Sequence, residues 1–344
     1  MQSTLDAMRS ELIAERDFLR DKRIETIYFG GGTPSLVSAQ TIADFMRLIS
    51  ENYDCSTLGE VTLEANPDDL SLEYLCELRK AGINRLSVGI QSFDDAELKF
   101  MNRRHTAQQA IRAIKDAQSV GFDNITIDLI FGVCGFGSDV LRRSIEQALE
   151  LHVQHISAYH LTIEQGTLFA RRVERGEFCA VDDEVSEREY ALMESMLCEA
   201  GYEHYEVSNY ALPTFRSRHN SSYWHGVHYL GIGPGAHSFN GDVRRWVDSS
   251  VEEYLKCGAE RYESEKLSTK ERYDEYVMTA LRCAEGVDLA DLRARFSDEL
   301  YLCIIGASKS WLESGHLVRE NDRLYIPTSH FLISDSIIES LFAV

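Results

Sequence analysis

Three glycines, Gly30, Gly31 and Gly32, followed by Thr33 and Pro34, close the apolar run IETIYF in a chain of 344 residues. Bare backbone there can hydrogen-bond a ligand at close range, as an amino acid's ammonium and carboxylate require; it serves a tight strand-to-helix turn equally well. Later apolar runs also end on polar groups. Glu64, Asn66 and Pro67 close EVTLEANP, Gln91 and Ser92 close RLSVGIQS, and Asp128 lies inside NITIDLIFG. A carboxylate flanked by Ile127 and Leu129 is costly to bury unless it is paired or faces a site. One such group alone reads as a structural hydrogen-bonder, whereas four successive runs ending this way point to a convergent site. Arg103 and His105, in MNRRHTAQQA, precede a helix that Thr106 can cap. Either suits a plain surface position, and the Arg103 guanidinium also offers a fork to a carboxylate.

The elements that must hold these groups follow from periodicity. Apolar runs near 26, 60, 85, 124, 155 and 202 alternate with helical patterns such as SAQTIADFMRLISENY, TAQQAIRAIKDAQSVG and EVSEREYALMESMLCEAG. Strand and helix in alternation, with short connections, predict parallel strands joined by crossovers, hence an α/β barrel or a doubly wound sheet. In both, functional residues collect at the carboxyl ends of the strands. After about residue 250 the pattern changes to three helices and a short hairpin, a winged-helix-like module. The expected division is residues 1–250 and 251–344.

Composition narrows the function. A net charge of -21 argues against a surface built to neutralise phosphate backbones. Glu285, Asp288, Asp291, Asp298 and Glu299 make the C-terminal module acidic as well, so no nucleic acid is expected. No apolar run reaches the ~18 residues that span a bilayer, and the amphipathic N-terminal stretch is no signal peptide, so a cytoplasmic location is expected. The eight cysteines are nowhere closer than nineteen positions, which provides no CxxC or CxxxC clip for zinc or a cluster.

Four histidines, His219, His225, His228 and His237, fall beside Tyr223, Trp224 and Tyr229 in RHNSSYWHGVHYLGIGPGAHSF. Imidazole is a common axial ligand of haem iron, and flat aromatic side chains suit a porphyrin face. Composition alone reads equally as a packed aromatic loop.

In order along the chain, YFGGGTPS, LEANPDDL, RLSVGIQSF, MNRRHT, DLIFG, AYHLTIEQGT, HYEVSNYA, RHNSSYW and YLGIGPGAHSF resemble the oxygen-independent coproporphyrinogen III oxidase-like family of radical S-adenosylmethionine proteins. This is the HemN/HemW group, and the likeness is nearer to its haem-chaperone side and covers essentially the whole chain. The resemblance implies a partial parallel (β/α) barrel with a small C-terminal helical, winged-helix-like domain. It also implies a [4Fe-4S] cluster that reductively cleaves S-adenosylmethionine to a 5'-deoxyadenosyl radical. By similarity Gly31, Gly32, Thr33, Glu64, Gln91, Arg103 and Asp128 line the S-adenosylmethionine site, with Thr162 a weaker match. HNSSYW matches a motif associated with haem handling and makes His219 the haem-ligand candidate. Porphyrin or haem, a haem-acceptor protein and an electron donor are the implied partners.

The chain departs from this family in one essential respect. The family holds its cluster with three cysteines in a CxxxCxxC loop after the first barrel strand, and neither that loop nor that strand is written here. As written, the chain offers no metal ligands for the cluster, and whether it acts as an enzyme stays open. A shortened form or late start of a longer protein is one expectation; a variant that binds haem or S-adenosylmethionine without radical chemistry is another. A true coproporphyrinogen III dehydrogenase and an unrelated phosphate-binding barrel enzyme are further alternatives. A smaller departure is Cys134, where the family usually has proline.

Overall fold

Period-two alternation sorts the strand residues onto two faces, one for a core and one for a site. The computed structural model describes residues 1–176, 178–257 and 262–343. Helix α1 (Gln2–Ala14) is followed by β1 (Thr26–Phe29), α2 (Ala39–Asn52), β2 (Glu60–Ala65), α3 (Leu72–Lys80) and β3 (Arg85–Gln91). Then come α4 (Asp95–Phe100), α5 (Ala107–Ser119), β4 (Ile125–Phe131), α6 (Ser138–Glu150) and β5 (His155–His160). Strands β1 to β5 pair in parallel in chain order, as the alternation predicts. The sixth apolar run departs from that pattern. After α7 (Leu168–Glu174) and α8 (Asp183–Glu199) it folds as a hairpin, β6 (Glu203–Glu206) and β7 (Asn209–Ala211), whose β7 joins β5 antiparallel. The seven strands curl as half a barrel, with β1 and β6 as its edges.

On the outer face Leu63, Leu86, Val88, Ile125, Ile127 and Ile156 are fully buried beneath the crossover helices, whose own apolar stripes include Ile42, Leu75, Leu78, Ala113, Ile114 and Ile145. Each such Leu or Ile contributes about 1.5–3 kcal/mol by leaving water. The inner face is polar instead: Thr62, Glu64, Arg85, Ser87, Thr126, Asp128, His155 and Ser157 alternate with those apolar neighbours.

Helix starts are capped as the sequence dictates. Ser38 and Ser71 accept the N–H groups of Thr41 and Tyr74, and Thr106 with Gln109 forms a reciprocal box at α5.

Downstream of β7 lie α9 (Arg218–Trp224), β8 (His237–Phe239), β9 (Val243–Val247), α10 (Val251–Cys257) and β10 (Tyr262–Lys266). Strand β9 is the centre of a small antiparallel sheet that crosses position 250. Buried Glu11 of α1 accepts hydrogen bonds from Tyr254 and Tyr262 hydroxyls and the Gly233 N–H, tying α1 to this sheet.

The C-terminal module contains α11 (Thr269–Leu281), β11 (Val287–Asp288), α12 (Leu289–Arg295), α13 (Asp298–Ala307) and α14 (Lys309–Ser314). It continues through β12 (Val318–Glu320), β13 (Arg323–Tyr325) and α15 (Ser334–Glu339). Helices followed by a short hairpin are the expected order. Tyr273, Val277, Leu281 and Phe331 belong to the same buried cluster as the barrel helices, so the module shares the main core.

Candidate functional site

The carboxyl ends of β1 to β4 surround one cleft. Gly32, Thr33, Pro34, Glu64, Asn66, Ser87, Gly89, Gln91 and Asp128 line an open cleft of about 150 Å³, with polar groups from successive strands converging on it. The three glycines differ in what keeps them bare. A Cβ at Gly30 would strike the Tyr28 ring and stand 2.8 Å from Glu64 Oε1, so this glycine is required by internal packing. Gly31 has φ of +76°, a left-handed conformation that disfavours side chains. At Gly32 a Cβ would meet nothing within 4 Å. That backbone borders open cleft.

The turn is fixed from below. Ser35 Oγ donates to Asp69 at 2.7 Å and accepts the Asn66 N–H at 3.3 Å, fastening the glycine turn to the segment after β2. Arg104 completes the clamp on Asp68 and Asp69. Glu64 accepts the Tyr28 hydroxyl at 2.7 Å on one oxygen and the Gly31 N–H at 3.1 Å on the other.

Asp128 shares the cavity with Glu64. Burial is the main reason its carboxyl is raised to about 7, and the Glu64 charge adds to this; Ser157, Arg85 and Arg103 oppose it. Gln91 is buried with φ of 73°, at a bulge where β3 shifts register against β4. A non-glycine residue held there is a strained position of the kind found at ligand sites. Arg103 is half-buried; burial lowers its pKa, and the nearby Asp128 and Asp68 charges resist that shift.

Thr162, the weaker match, stands apart from the cleft, as does His105, and neither Gly31 nor Arg103 is among the residues that line it. Thr162 is exposed, its hydroxyl on the His160 carbonyl at 3.4 Å, and it does not line the cleft. His105 is buried with Nε2 3.0 Å from the Ile90 carbonyl, a tether beneath the bulge.

His219 lies in a helix rather than in an aromatic loop. Ser217 caps α9 through the Asn220 N–H, and Glu60 of β2 accepts the N–H groups of Arg218 and His219 at 3.0 and 2.9 Å. Two acceptor oxygens on the helix's first N–H groups override the glycine-rich composition that follows. The His219 ring stacks on Tyr28 with centroids 4.9 Å apart, and Nδ1 is 2.8 Å from Thr26 Oγ1. Its Nε2 is 3.1 Å from the hydroxyl of Tyr223, a residue 40% exposed. Burial, reinforced by Arg85, lowers its pKa to about 4, so the imidazole is neutral.

Beneath the cleft the inner face carries a buried layer absent from the strand-end reading. Arg85 lies 4.0 Å from Glu60 and donates to Thr126 Oγ1, while His155 Nε2 is 2.8 Å from the Tyr205 hydroxyl. Strict alternation in EVTLEA, RLSVGIQ, ITID and HISAYH was the available signal for Glu60, Arg85, Thr126 and His155, and for Ser87 and Ser157.

Comparison with known proteins places the chain among radical S-adenosylmethionine proteins. Residues 9–148 match the Radical SAM superfamily and residues 267–327 the HemN C-terminal domain. The coproporphyrinogen III oxidase HemN of Escherichia coli superposes with a TM-score of 0.84 over 99% of this chain and 83% of that chain, at 19% identity, a likeness of fold. The heme chaperone HemW of Lactococcus lactis is 33% identical over 97% of this chain and 89% of its own length. That of Mycobacterium tuberculosis is 34% identical over 97% and 85%. The bovine mitochondrial radical S-adenosyl methionine domain-containing protein 1 is 33% identical over 94% and 76%. The chain belongs to the HemW family, radical S-adenosylmethionine proteins of haem metabolism.

Membership implies S-adenosylmethionine and a [4Fe-4S] cluster. The open backbone at Gly32, the raised carboxyl of Asp128 and the half-buried Arg103 fit a ligand bearing ammonium, carboxylate and ribose hydroxyls. The cluster finds no such fit. Among the described residues no group of three His, Cys, Asp or Glu is placed to hold a metal ion; the side chain of Cys257 lies outside the described residues. No described helix is long and apolar enough to cross a membrane.

Proposed function

We propose that the cleft at the ends of β1 to β4 binds S-adenosylmethionine and that α9 presents haem. The chain is then a haem carrier, as its relatives' names describe them, with a haem-acceptor protein as partner and the cytoplasm as its compartment. The observation that carries the reading is the empty space over Gly32, bounded by polar groups from successive strands. S-adenosylmethionine, when bound, supplies a sulfonium open to reductive cleavage. The chain's own residues bind and orient. Gly31, Gly32 and Thr33 offer backbone to the methionine end. Arg103 provides the fork for its carboxylate, and Asp128 and Gln91 take hydroxyl and amine donors.

For haem, a neutral His219 is the state that ligates iron. Its Nε2 becomes available when the exposed Tyr223 hydroxyl swings away, the loss of one hydrogen bond at about 0.5–1.5 kcal/mol.

Two titrations test the two halves separately. Isothermal titration with S-adenosylmethionine should give binding that Gly32→Val reduces at least about tenfold, since the valine fills the ligand's space from a Cβ that meets no protein atom within 4 Å. Equal affinity in the variant would refute the cleft assignment. Haem titration followed at the Soret band should weaken by a similar factor in His219→Ala and persist in Tyr223→Phe. An unchanged spectrum and affinity in His219→Ala would remove His219 as the ligand.

A further inference from the structure

Just beyond the carboxyl end of β4, outside the residues that line the cleft, two thiols meet. Cys134 lies in the loop after β4 and Cys179 follows α7, and their sulfurs are 3.1 Å apart. That is about an ångström beyond a bonded pair. Cys134 is partly exposed and Cys179 exposed, so small reagents reach both. In the loop around Cys134, Gly135 and Gly137 have positive φ and a Cβ at either would meet nothing within 4 Å, so no side-chain packing at these two positions opposes a closer approach of the sulfurs.

A second, independent feature shows what such a bond would fasten. Leu98, Met101 and Val133 form a small buried cluster separate from the main core, with Phe100, Phe136 and Phe169 packed on it. The Phe100 ring has centroids 5.5, 5.8 and 5.3 Å from those of Phe136, Phe169 and Phe178. Three segments therefore converge here: the turn leading to Arg103, the loop after β4, and the chain after β5. Val133 and Phe178 are the sequence neighbours of the two cysteines.

We propose that Cys134 and Cys179 are a redox-modification site, oxidised to an intrachain disulfide by a low-molecular-weight disulfide such as oxidised glutathione, which locks the segment around α7 to the cleft's rim. The Cys179 thiolate attacks one sulfur of glutathione disulfide, breaking its S–S bond and expelling one glutathione thiolate. The Cys134 thiolate then attacks the Cys179 sulfur of the mixed disulfide and expels the second. Two protein thiols lose two electrons and two protons, and glutathione disulfide takes up both. A bond between exposed sulfurs is open to reversal by excess reduced glutathione. Nothing in this step depends on what the cleft binds.

The test uses the full chain in glutathione buffers of rising oxidised fraction, acid-quenched, alkylated and mapped by mass spectrometry. The expected product has lost two hydrogens and yields a Cys134–Cys179 linked peptide, while the exposed Cys198 stays alkylatable. Trypsin cleavage at Arg171, Arg172 and Arg175 should slow at least about fivefold on oxidation and recover on reduction. Cys134→Ser should show no protection and accumulate a glutathione adduct on Cys179. Separate adducts on both cysteines of the unmutated chain, or thiols still free at a poise that modifies Cys198, would overturn the pairing. A linked product nicked as fast as the reduced chain would overturn the lock.

Discussion

Asp128 lies between apolar neighbours on its strand and faces a cleft it shares with Glu64. Its carboxyl has an ordinary value of 3.8 and titrates at about 7 in the fold. Because burial favours the neutral form, its contribution to stability is full below about pH 4 and is lost as pH rises through about 7. Glu97 and Glu206, also raised to about 7 chiefly by burial, act in the same direction. His219, lowered to about 4, acts the opposite way between that value and 6.5. Asp128→Asn removes one of these terms alone. Its melting temperature relative to the unmutated protein should rise by roughly 2 °C between pH 5 and pH 8, read by thermal scanning; a difference that does not change with pH would contradict the burial argument. The glycines make a second contrast at this scale. Gly30→Ala forces a methyl into Tyr28 and Glu64 and should cost about 1–3 kcal/mol in denaturant unfolding. Gly32→Ala meets no protein atom, so it should fold normally and lose ligand affinity.

Helix α9 shows where an element depends on another element's side chain. Glu60, buried at the start of β2, accepts two N–H groups at the helix start and pairs with Arg85. Glu60→Ala would strand a buried guanidinium and uncap α9 together, at about 3–5 kcal/mol. Ser217→Ala removes only the side-chain cap, at about 1 kcal/mol. Both changes should weaken haem binding in proportion to the loss of α9, and full haem affinity in a Glu60→Ala protein that still folds would separate α9 from haem. Much at this scale was legible in the sequence. The strands from Thr26 to His160 and the helices between them follow from periodicity, and Thr106 and Gln109 announce their capping box. Helix α9 was not legible, because its start is set by a carboxylate 158 residues away. The β6–β7 hairpin likewise reads as one apolar run until pairing with β5 sets its direction. Gly32 and Thr33, read as bare backbone at a strand end, and Glu64, Gln91 and Asp128, read as strand-end polar groups, meet in the cleft. Thr162, which had only motif similarity behind it, lies outside. The floor of Arg85, Thr126 and His155 was marked in the sequence by alternation alone, because the partners that allow these polar groups to be buried come from distant strands.

At the scale of the molecule, half a barrel holds a polar interior while its outer face and the C-terminal module share an apolar core. The strand-end cleft and α9 are joined through Tyr28, which stacks on His219 and donates to Glu64. Tyr28→Phe keeps the stack and deletes the hydrogen bond. It should leave haem titration nearly unchanged and weaken S-adenosylmethionine binding a few-fold, about 1 kcal/mol; equal loss of both would show that the ring, rather than the hydroxyl, joins the two regions. The most direct measurement of the central claim is a crystal structure of the chain soaked with S-adenosylmethionine. The account predicts ligand density over the Gly32 backbone, within hydrogen-bond distance of Asp128 and with its carboxylate toward Arg103. An empty cleft at saturating ligand, or density bound elsewhere on the chain, would contradict it.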